Sequence, residues 1–270
     1  MSSDRGLHAA AGQEISADAY DKYIGRWSGL VVPSLLAAAE VGASDRVLDV
    51  ATGTGEAAIA AISLVGDGGL VIGADISAAM LRAARARLPP SYRAIVTDGQ
   101  ALAFQGASFD AVLCQLGLMF FPDPAKGLAE FRRVLRSGRC AAICVNSTPD
   151  KVPMWGPLAC ALGRQLPEQR NAFQLSFSLG DARRLEQMLV AAGFRDVHVE
   201  RETRDGVIGS FAEYWDAIEG GTGQMPLAYL TLSEVQRAAV REEVSAALLP
   251  FISKGHLEMS VEMLIGSGRA

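Results

Sequence analysis

Between residues 46 and 146 short apolar runs alternate with helix-forming stretches, and this alternation constrains the fold more than any other feature of the chain. Arg46–Ala51 reads as a first strand ended by glycines, and Gly55–Val65 as the helix after it. Leu70–Asp75 is a second strand. Ser77 then caps a helix that runs to about Leu88, where Pro89 and Pro90 stop it. Tyr92–Thr97 and Phe109–Cys114 follow as strands, Lys126–Arg136 as a helix closed by Ser137-Gly138, and Arg139–Asn146 as a fifth strand. None of these runs alternates polar and apolar residues as a half-wet strand does, so all are expected to be buried on both faces. The repetition predicts an α/β, doubly wound, mostly parallel sheet covered by helices.

The flanks differ. Residues 15–41 carry helical patterns, while 147–180 are rich in prolines and aromatics, among them Trp155, Phe173 and Phe177. Asp181–Ala192 reads as a helix ended by Gly193, Arg195–Arg201 as a sixth strand, 210–249 as mainly helical and Glu258–Ile265 as a last strand. The organisation expected is a helical segment over 1–42 and a core over 43–146. Cap insertions then span 147–180 and 209–257, and the rest of the sheet comes from 181–208 and 258–270.

Composition narrows the function. The net charge is −5 and the basic residues are scattered, whereas nucleic-acid binding needs a basic stripe; no nucleic-acid partner is expected. No apolar run is long enough to cross a bilayer, and the N-terminus lacks a signal-peptide pattern. Cys114, Cys140, Cys144 and Cys160 include no CxxC pair, so buried, reduced thiols, a cytoplasmic setting and no metal site are expected.

The turn Asp49-Val50-Ala51-Thr52-Gly53-Thr54-Gly55 leaves a buried strand and enters a helix. Glycines there permit close backbone approach to a ligand seated over the helix N-terminus. A tight structural turn would look the same. Two further acids single it out: Asp75 ends the second strand, placed to grip ribose hydroxyls, and Asp98 ends the third, placed to accept from an adenine amine. Each alone could be a cap or turn residue; three such turns at one sheet edge describe a nucleoside site. Gly53–Ala58 can also be read as the GxGxxA of a nicotinamide dinucleotide enzyme. Asp49 disfavours that reading, because a carboxylate beneath the turn suits a cationic ligand better than a pyrophosphate.

Together these residues resemble the class I S-adenosylmethionine-dependent methyltransferases, in the branch of the ubiquinone/menaquinone-biosynthesis and related small-molecule enzymes. The resemblance rests on Val47–Gly55, Val71–Ser77 with Met80, Asp98–Phe104, Ser108–Val112 and Glu130–Arg139, and covers about residues 44–146. It implies a seven-stranded Rossmann-like sheet whose last strand is antiparallel, and S-adenosylmethionine as methyl donor. It also implies that Ala51, Gly53 and Gly55 line the methionine and ribose, Asp75 holds the ribose, and Ile76 and Met80 pack near the adenine. Asp98 and Gly99 would recognise the adenine amine, and Gln115 would approach the methionine. Tyr20–Trp27 resembles an N-terminal helix that closes over the cofactor, or is simply an amphipathic packing helix.

An oxygen acceptor calls for a base, and the chain has three histidines. His8 lies in a tail and His198 within the sixth strand. His256, just ahead of an antiparallel last strand, is the candidate to face the acceptor, with an ordinary loop histidine as the alternative. Tyr20, Trp27, Met119, Trp155, Phe177 and Trp215 are candidates for an apolar acceptor pocket, or for plain cap packing. The function expected is O- or C-methylation of a small hydrophobic or aromatic metabolite. A non-catalytic S-adenosylmethionine-binding protein and an NAD(P)-dependent oxidoreductase are the alternatives.

Overall fold

The computed structural model describes residues 29–221 and 223–270. The strands are β1 (Arg46–Val50), β2 (Leu70–Asp75), β3 (Arg93–Val96), β4 (Phe109–Gln115), β5 (Leu135–Asn146), β6 (Arg195–Ile208), β7 (Ile252–Ser253) and β8 (His256–Arg269). The helices are α1 (Val32–Ala38), α2 (Glu56–Val65), α3 (Ala78–Arg87), α4 (Pro124–Val134) and α5 (Gly156–Gln165). They continue with α6 (Arg170–Gln174), α7 (Ala182–Ala191), α8 (Phe211–Glu219), α9 (Gln224–Leu230) and α10 (Glu234–Leu248).

Seven strands form one path in the order β3-β2-β1-β4-β5-β8-β6, and the two-residue β7 pairs with β8 off that path. β1 to β5 are mutually parallel; β8 is antiparallel to both β5 and β6. This is the doubly wound, mostly parallel sheet that the alternation predicts, with eight strands in place of seven because β7 adds a short hairpin arm.

Local chemistry sets the helix starts. Ser77, Asp123, Asp181, Ser210 and Ser233 each accept a backbone N–H of the helix they precede, and Ser233 with Gln236 forms a capping box. Two apolar clusters then bury the two faces of the sheet. On one face Val47, Val71 and Leu113 pack with α1 and α2, and the same cluster runs without a break into α5, α8, α9 and α10. On the other, Leu48, Val112 and Ile143 pack with α4 and α7. Burying each such side chain contributes about 1.5–3 kcal/mol.

Four expectations change. β3 is partly exposed, because it is an edge strand with a single neighbour. β6 continues past Arg201 to Ile208, and β8 spans His256–Arg269 rather than Glu258–Ile265, because each supplies the other's backbone partners along a long ribbon. Ser137-Gly138 does not close α4. The chain passes straight from Val134 into β5, where Leu135 pairs with Phe109 and the Ser108 amide donates to the Val134 carbonyl. Cys114, Cys140 and Cys144 are buried, but Cys160 is exposed on the outer side of α5. No helix among the described residues is long and apolar enough to cross a membrane.

Candidate functional site

The strand order reverses between β1 and β4: the chain builds outward from β1 to β3, then returns to β4 on the other side. That reversal leaves a crevice above the carboxyl ends of the two strands. Both walls are strained. Ala51 leaves β1 with φ 56° and Leu116 leaves β4 with φ 52°, a left-handed conformation that side-chain-bearing residues rarely adopt. A Cβ on Gly117 would come within 2.4 Å of the Ala51 Cβ, so the loops meet only because Gly117 has none. Gly53 is the opposite case. It has φ 55°, and a Cβ there would meet nothing within 4 Å, so its backbone faces open space. Gly55 (φ 92°) begins α2 and presents the positive end of that helix.

The turn is tied to β2. Thr52 N–H donates to the Ala74 carbonyl at 3.2 Å and Gly53 N–H to Asp75 Oδ2 at 2.9 Å. Asp75 Oδ1 accepts Ser77 N–H at 2.8 Å. Each carboxylate oxygen therefore spends one lone pair on an amide and keeps capacity for another donor, the requirement for holding two neighbouring hydroxyls. Burial pushes the Asp75 carboxyl upward against those amides. Beside it Ile76 is 73% exposed, an apolar side chain at the rim of a polar turn and ready to cover a flat ring. Met80, half-buried in the first turn of α3, donates its amide to Ser77 Oγ.

Asp98 ends the next turn, with Oδ1 accepting Gln100 N–H at 2.8 Å. Gly99 has a packing reason to be glycine: a Cβ would lie 2.4 Å from the Phe121 ring. Gln115 sits half-buried at the end of β4. Ala51, Gly53, Gly55, Asp75, Ile76, Asp98, Gly99 and Gln115 thus occupy the ends of four adjacent strands, β3-β2-β1-β4.

Beneath the turn lies a buried polar group. Asp49 is 1% exposed; its Oδ2 accepts Thr52 Oγ1–H at 2.6 Å, and its Oδ1 makes no hydrogen bond among the described residues. Burial pushes this carboxyl up to about 7, opposed mainly by the Thr52 hydroxyl and slightly by the Ala58 amide in the first turn of α2.

The acceptor candidates separate. Tyr20 and Trp27 lie outside the described residues. Trp215 does not line an open pocket: it is 1% exposed, stacked on Phe211 with centroids 5.6 Å apart and edge-on to Tyr229 at 5.3 Å, in the interior of the cap. Its length and flatness are used to join α8 to α9. Met119 (3%) and Phe177 (8%) are also packed away, and the Met119 carbonyl accepts Ser178 Oγ–H, which ties the cap to the loop after β4. Trp155, at the start of α5, is the half-buried one of these. His256 lies beyond the carboxyl edge, but far along the ribbon. Met263 is the residue level with Asn146, the end of β5, which puts His256 roughly 20 Å further out. It is exposed, with Nδ1 2.9 Å from the Gly209 carbonyl oxygen.

Several supporting residues were marked in the sequence only as parts of matching stretches, with no role assigned to them. On α4, Glu130 accepts Leu102 N–H at 2.8 Å, and Arg133 donates to the Leu102 and Phe104 carbonyls while pairing with Glu130 at 2.6 Å. This pair pins the loop that carries Asp98 and Gly99. Gln100 Oε1 accepts Asp123 N–H and fastens the same loop to the start of α4. Their partners lie 23 to 31 residues away along the chain, so no local pattern reveals what they hold. Among the described residues no group of His, Cys, Asp or Glu side chains could hold a metal ion.

Comparison with known proteins agrees with this geometry. A methyltransferase-domain family profile matches residues 47–138. A demethylmenaquinone methyltransferase from Mycobacterium sp. (strain KMS) is 40% identical over 113 residues, taking in 42% of this chain and 46% of that protein, so the chain spans about half the length of such a relative. The counterpart from Clavibacter sepedonicus is 34% identical over 180 residues, covering 62% of this chain and 71% of its own length. Among solved structures, Haemonchus contortus phosphoethanolamine N-methyltransferase 2 in complex with S-adenosyl-L-methionine superposes with a TM-score of 0.59 at 19% identity. The alignment covers 94% of this chain and 56% of that one, a likeness of fold. The glycine turn, the paired acids of the neighbouring strands and the long match to the Clavibacter protein assign the chain to the class I S-adenosylmethionine-dependent methyltransferases.

Proposed function

We propose that this chain binds S-adenosylmethionine over the β1–β4 crevice and catalyses transfer of its methyl group to a small, apolar, ring-bearing acceptor at oxygen or carbon. The observation that carries the reading is the Asp75 carboxylate, held by the Gly53 and Ser77 amides at 2.9 and 2.8 Å beside the exposed Ile76. A carboxylate so oriented accepts a ribose diol, and Ile76 covers the attached base. The open face of Gly53 admits the rest of the ligand, and the buried Asp49 carboxylate beneath the turn favours a cationic tail over a pyrophosphate.

When bound, the sulfonium supplies an activated methyl group, whose carbon–sulfur bond breaks onto sulfur as the acceptor atom bonds to carbon and loses its proton. The chain's task is alignment and exclusion of water. Leu116 at the crevice wall and Trp155 on the cap supply half-exposed apolar surface, while Ser178 and Gly180 close the cap segment onto the loops after β4 and β5. Relatives named for demethylmenaquinone support a quinone-like ring as acceptor. His256, set roughly 20 Å beyond the end of β5, has no part as base in this reading, in which a phenolic or quinol acceptor gives up its proton before water is excluded.

Isotope-labelled methyl transfer to a panel of quinols, phenols, amines and carboxylic acids tests this. Turnover on ring hydroxyl or ring carbon acceptors, undiminished in His256→Ala, is expected. Tight binding of the donor with no turnover on any acceptor would instead establish a binding protein. Failure to bind the donor would remove the reading altogether.

A further inference from the structure

Tyr92 stands immediately ahead of β3, on the far side of β2 from the glycine turn, yet its hydroxyl reaches that turn. It does so through a gap in β2. At Gly73 a Cβ would lie 1.8 Å from the Tyr92 hydroxyl oxygen and 2.8 Å from Thr52 Cγ2. Any other residue at 73 would close the passage. The ring is 6% exposed, and the hydroxyl ends 3.4 Å from Thr52 Oγ1. Thr52 has one hydroxyl proton, and it points to Asp49 Oδ2 at 2.6 Å. Tyr92 is therefore the donor in the longer contact, and the direction is Tyr92 to Thr52 to Asp49.

The other titratable groups around Asp49 do not replace this chain. Asp75 on β2 is a like charge, and Cys114 on β4 is a buried thiol pushed upward by desolvation and by Asp49 itself. Arg85 on α3 acts on Tyr92. Burial pushes the Tyr92 hydroxyl up to about 12, so it stays a donor at neutral pH. If Asp49 takes up a proton, its own O–H must point to Thr52 or stay unpartnered. The chain then reverses and the negative charge beneath the turn is lost.

We propose that Tyr92 is a positioning residue for the glycine turn: over the gap at Gly73 it holds Thr52, and through Thr52 the ionised Asp49 carboxylate, in the arrangement that receives the cationic methionine end of the cofactor. The inference rests on the cofactor reading above and adds the device that keeps its turn preformed.

The test is calorimetric titration with S-adenosylhomocysteine, which carries the same α-ammonium group, from about pH 5.5 to 8.5. The proteins are the wild type, Tyr92→Phe, Thr52→Val, the double variant and Gly73→Ala. If binding requires the ionised chain, wild-type affinity falls roughly tenfold per pH unit below the Asp49 midpoint and levels off above it. Tyr92→Phe is expected to weaken binding about three- to tenfold at neutral pH and to move that midpoint upward. Gly73→Ala keeps the hydroxyl but leaves it no room, and is expected to move the midpoint the same way. The double variant should match Thr52→Val alone, because Tyr92 acts through Thr52. An unmoved midpoint in a folded Tyr92→Phe protein, or losses that simply add, overturns the proposal while leaving the cofactor reading intact. Absence of wild-type binding at every pH overturns both.

Discussion

Asp75 and Asp49 are both buried carboxylates at the end of the sheet, and their partners separate their roles. Asp75 has an amide on each oxygen and is partly exposed at the rim of the crevice; Asp49 is fully buried with the Thr52 hydroxyl on one oxygen. Asp75→Ala removes two charge-assisted acceptors from the ribose, and is expected to weaken S-adenosylhomocysteine binding by one to two orders of magnitude in calorimetry. Asp49 makes the opposite demand on stability. Its carboxyl, raised to about 7 by burial, keeps a proton in the folded chain between about pH 4 and 7, where the unfolded chain has released it. The folded state binds more protons in that window, so stability falls as pH rises through it, and the full penalty, up to about 4 kcal/mol, is present above it. Asp49→Asn is therefore expected to raise the melting temperature at about pH 8 and to change it little near pH 4, while weakening cofactor binding. A shift in melting temperature independent of pH would contradict this. The places of Asp75 and Asp98 at the ends of β2 and β3 were legible because an acid where an apolar run stops marks a strand end. Tyr92 was not, because its contact depends on a gap in a neighbouring strand.

The elements that carry the site are held from a distance. The loop from Asp98 to Phe104 is seated by the buried Leu102 and by Phe104 edge-on to Phe109, and its backbone is pinned by Glu130 and Arg133 of α4. The Arg133 guanidinium holds the Glu130 carboxyl below its usual range, burial opposes, and the Leu102 amide adds to the lowering. The pin is accordingly complete above the ordinary carboxylate range and is released only as pH falls through a lower value. Glu130→Ala is expected to speed hydrogen exchange at residues 99–104 and weaken cofactor binding several-fold, with a small loss of global stability because the pair is partly solvated. Unchanged exchange in this loop would show that α4 does not hold it. Among the elements themselves, β1, β2 and β4 follow from apolar runs with turn residues at their ends, and the start of β6 from the alternating Val197 and Val199 after Gly193. The second half of β6, Glu202–Ile208, did not, since an edge strand with one neighbour tolerates charge at nearly every position. Ser137-Gly138 misled for a different reason: good turn chemistry was overridden by the pairing of Leu135 with Phe109.

At the scale of the molecule, one apolar cluster unites the α1–α2 face of the sheet with the cap helices α5, α8, α9 and α10. The cap is thus an extension of the core, and Trp215 is among its largest fully buried side chains. Trp215→Ala is expected to cost about 3–5 kcal/mol and to lower a single cooperative transition rather than melt the cap separately. Two resolved transitions in calorimetry would show the opposite. This continuity explains why aromatic residues in the insertions read as pocket lining from sequence: composition marks an apolar environment and says nothing about whether a ligand or a neighbouring helix fills it. It also explains the place of His256, whose strand runs far past the sheet before meeting the cap. The central claim, that an adenosyl sulfonium compound sits over the β1–β4 crevice, is tested most directly by a crystal structure of the complex with S-adenosylhomocysteine. The account predicts the ribose hydroxyls within hydrogen-bonding distance of both Asp75 oxygens, the adenine against Ile76 and the homocysteine tail over Gly53. A ligand bound elsewhere, or one seated here with its ribose turned away from Asp75, would contradict it.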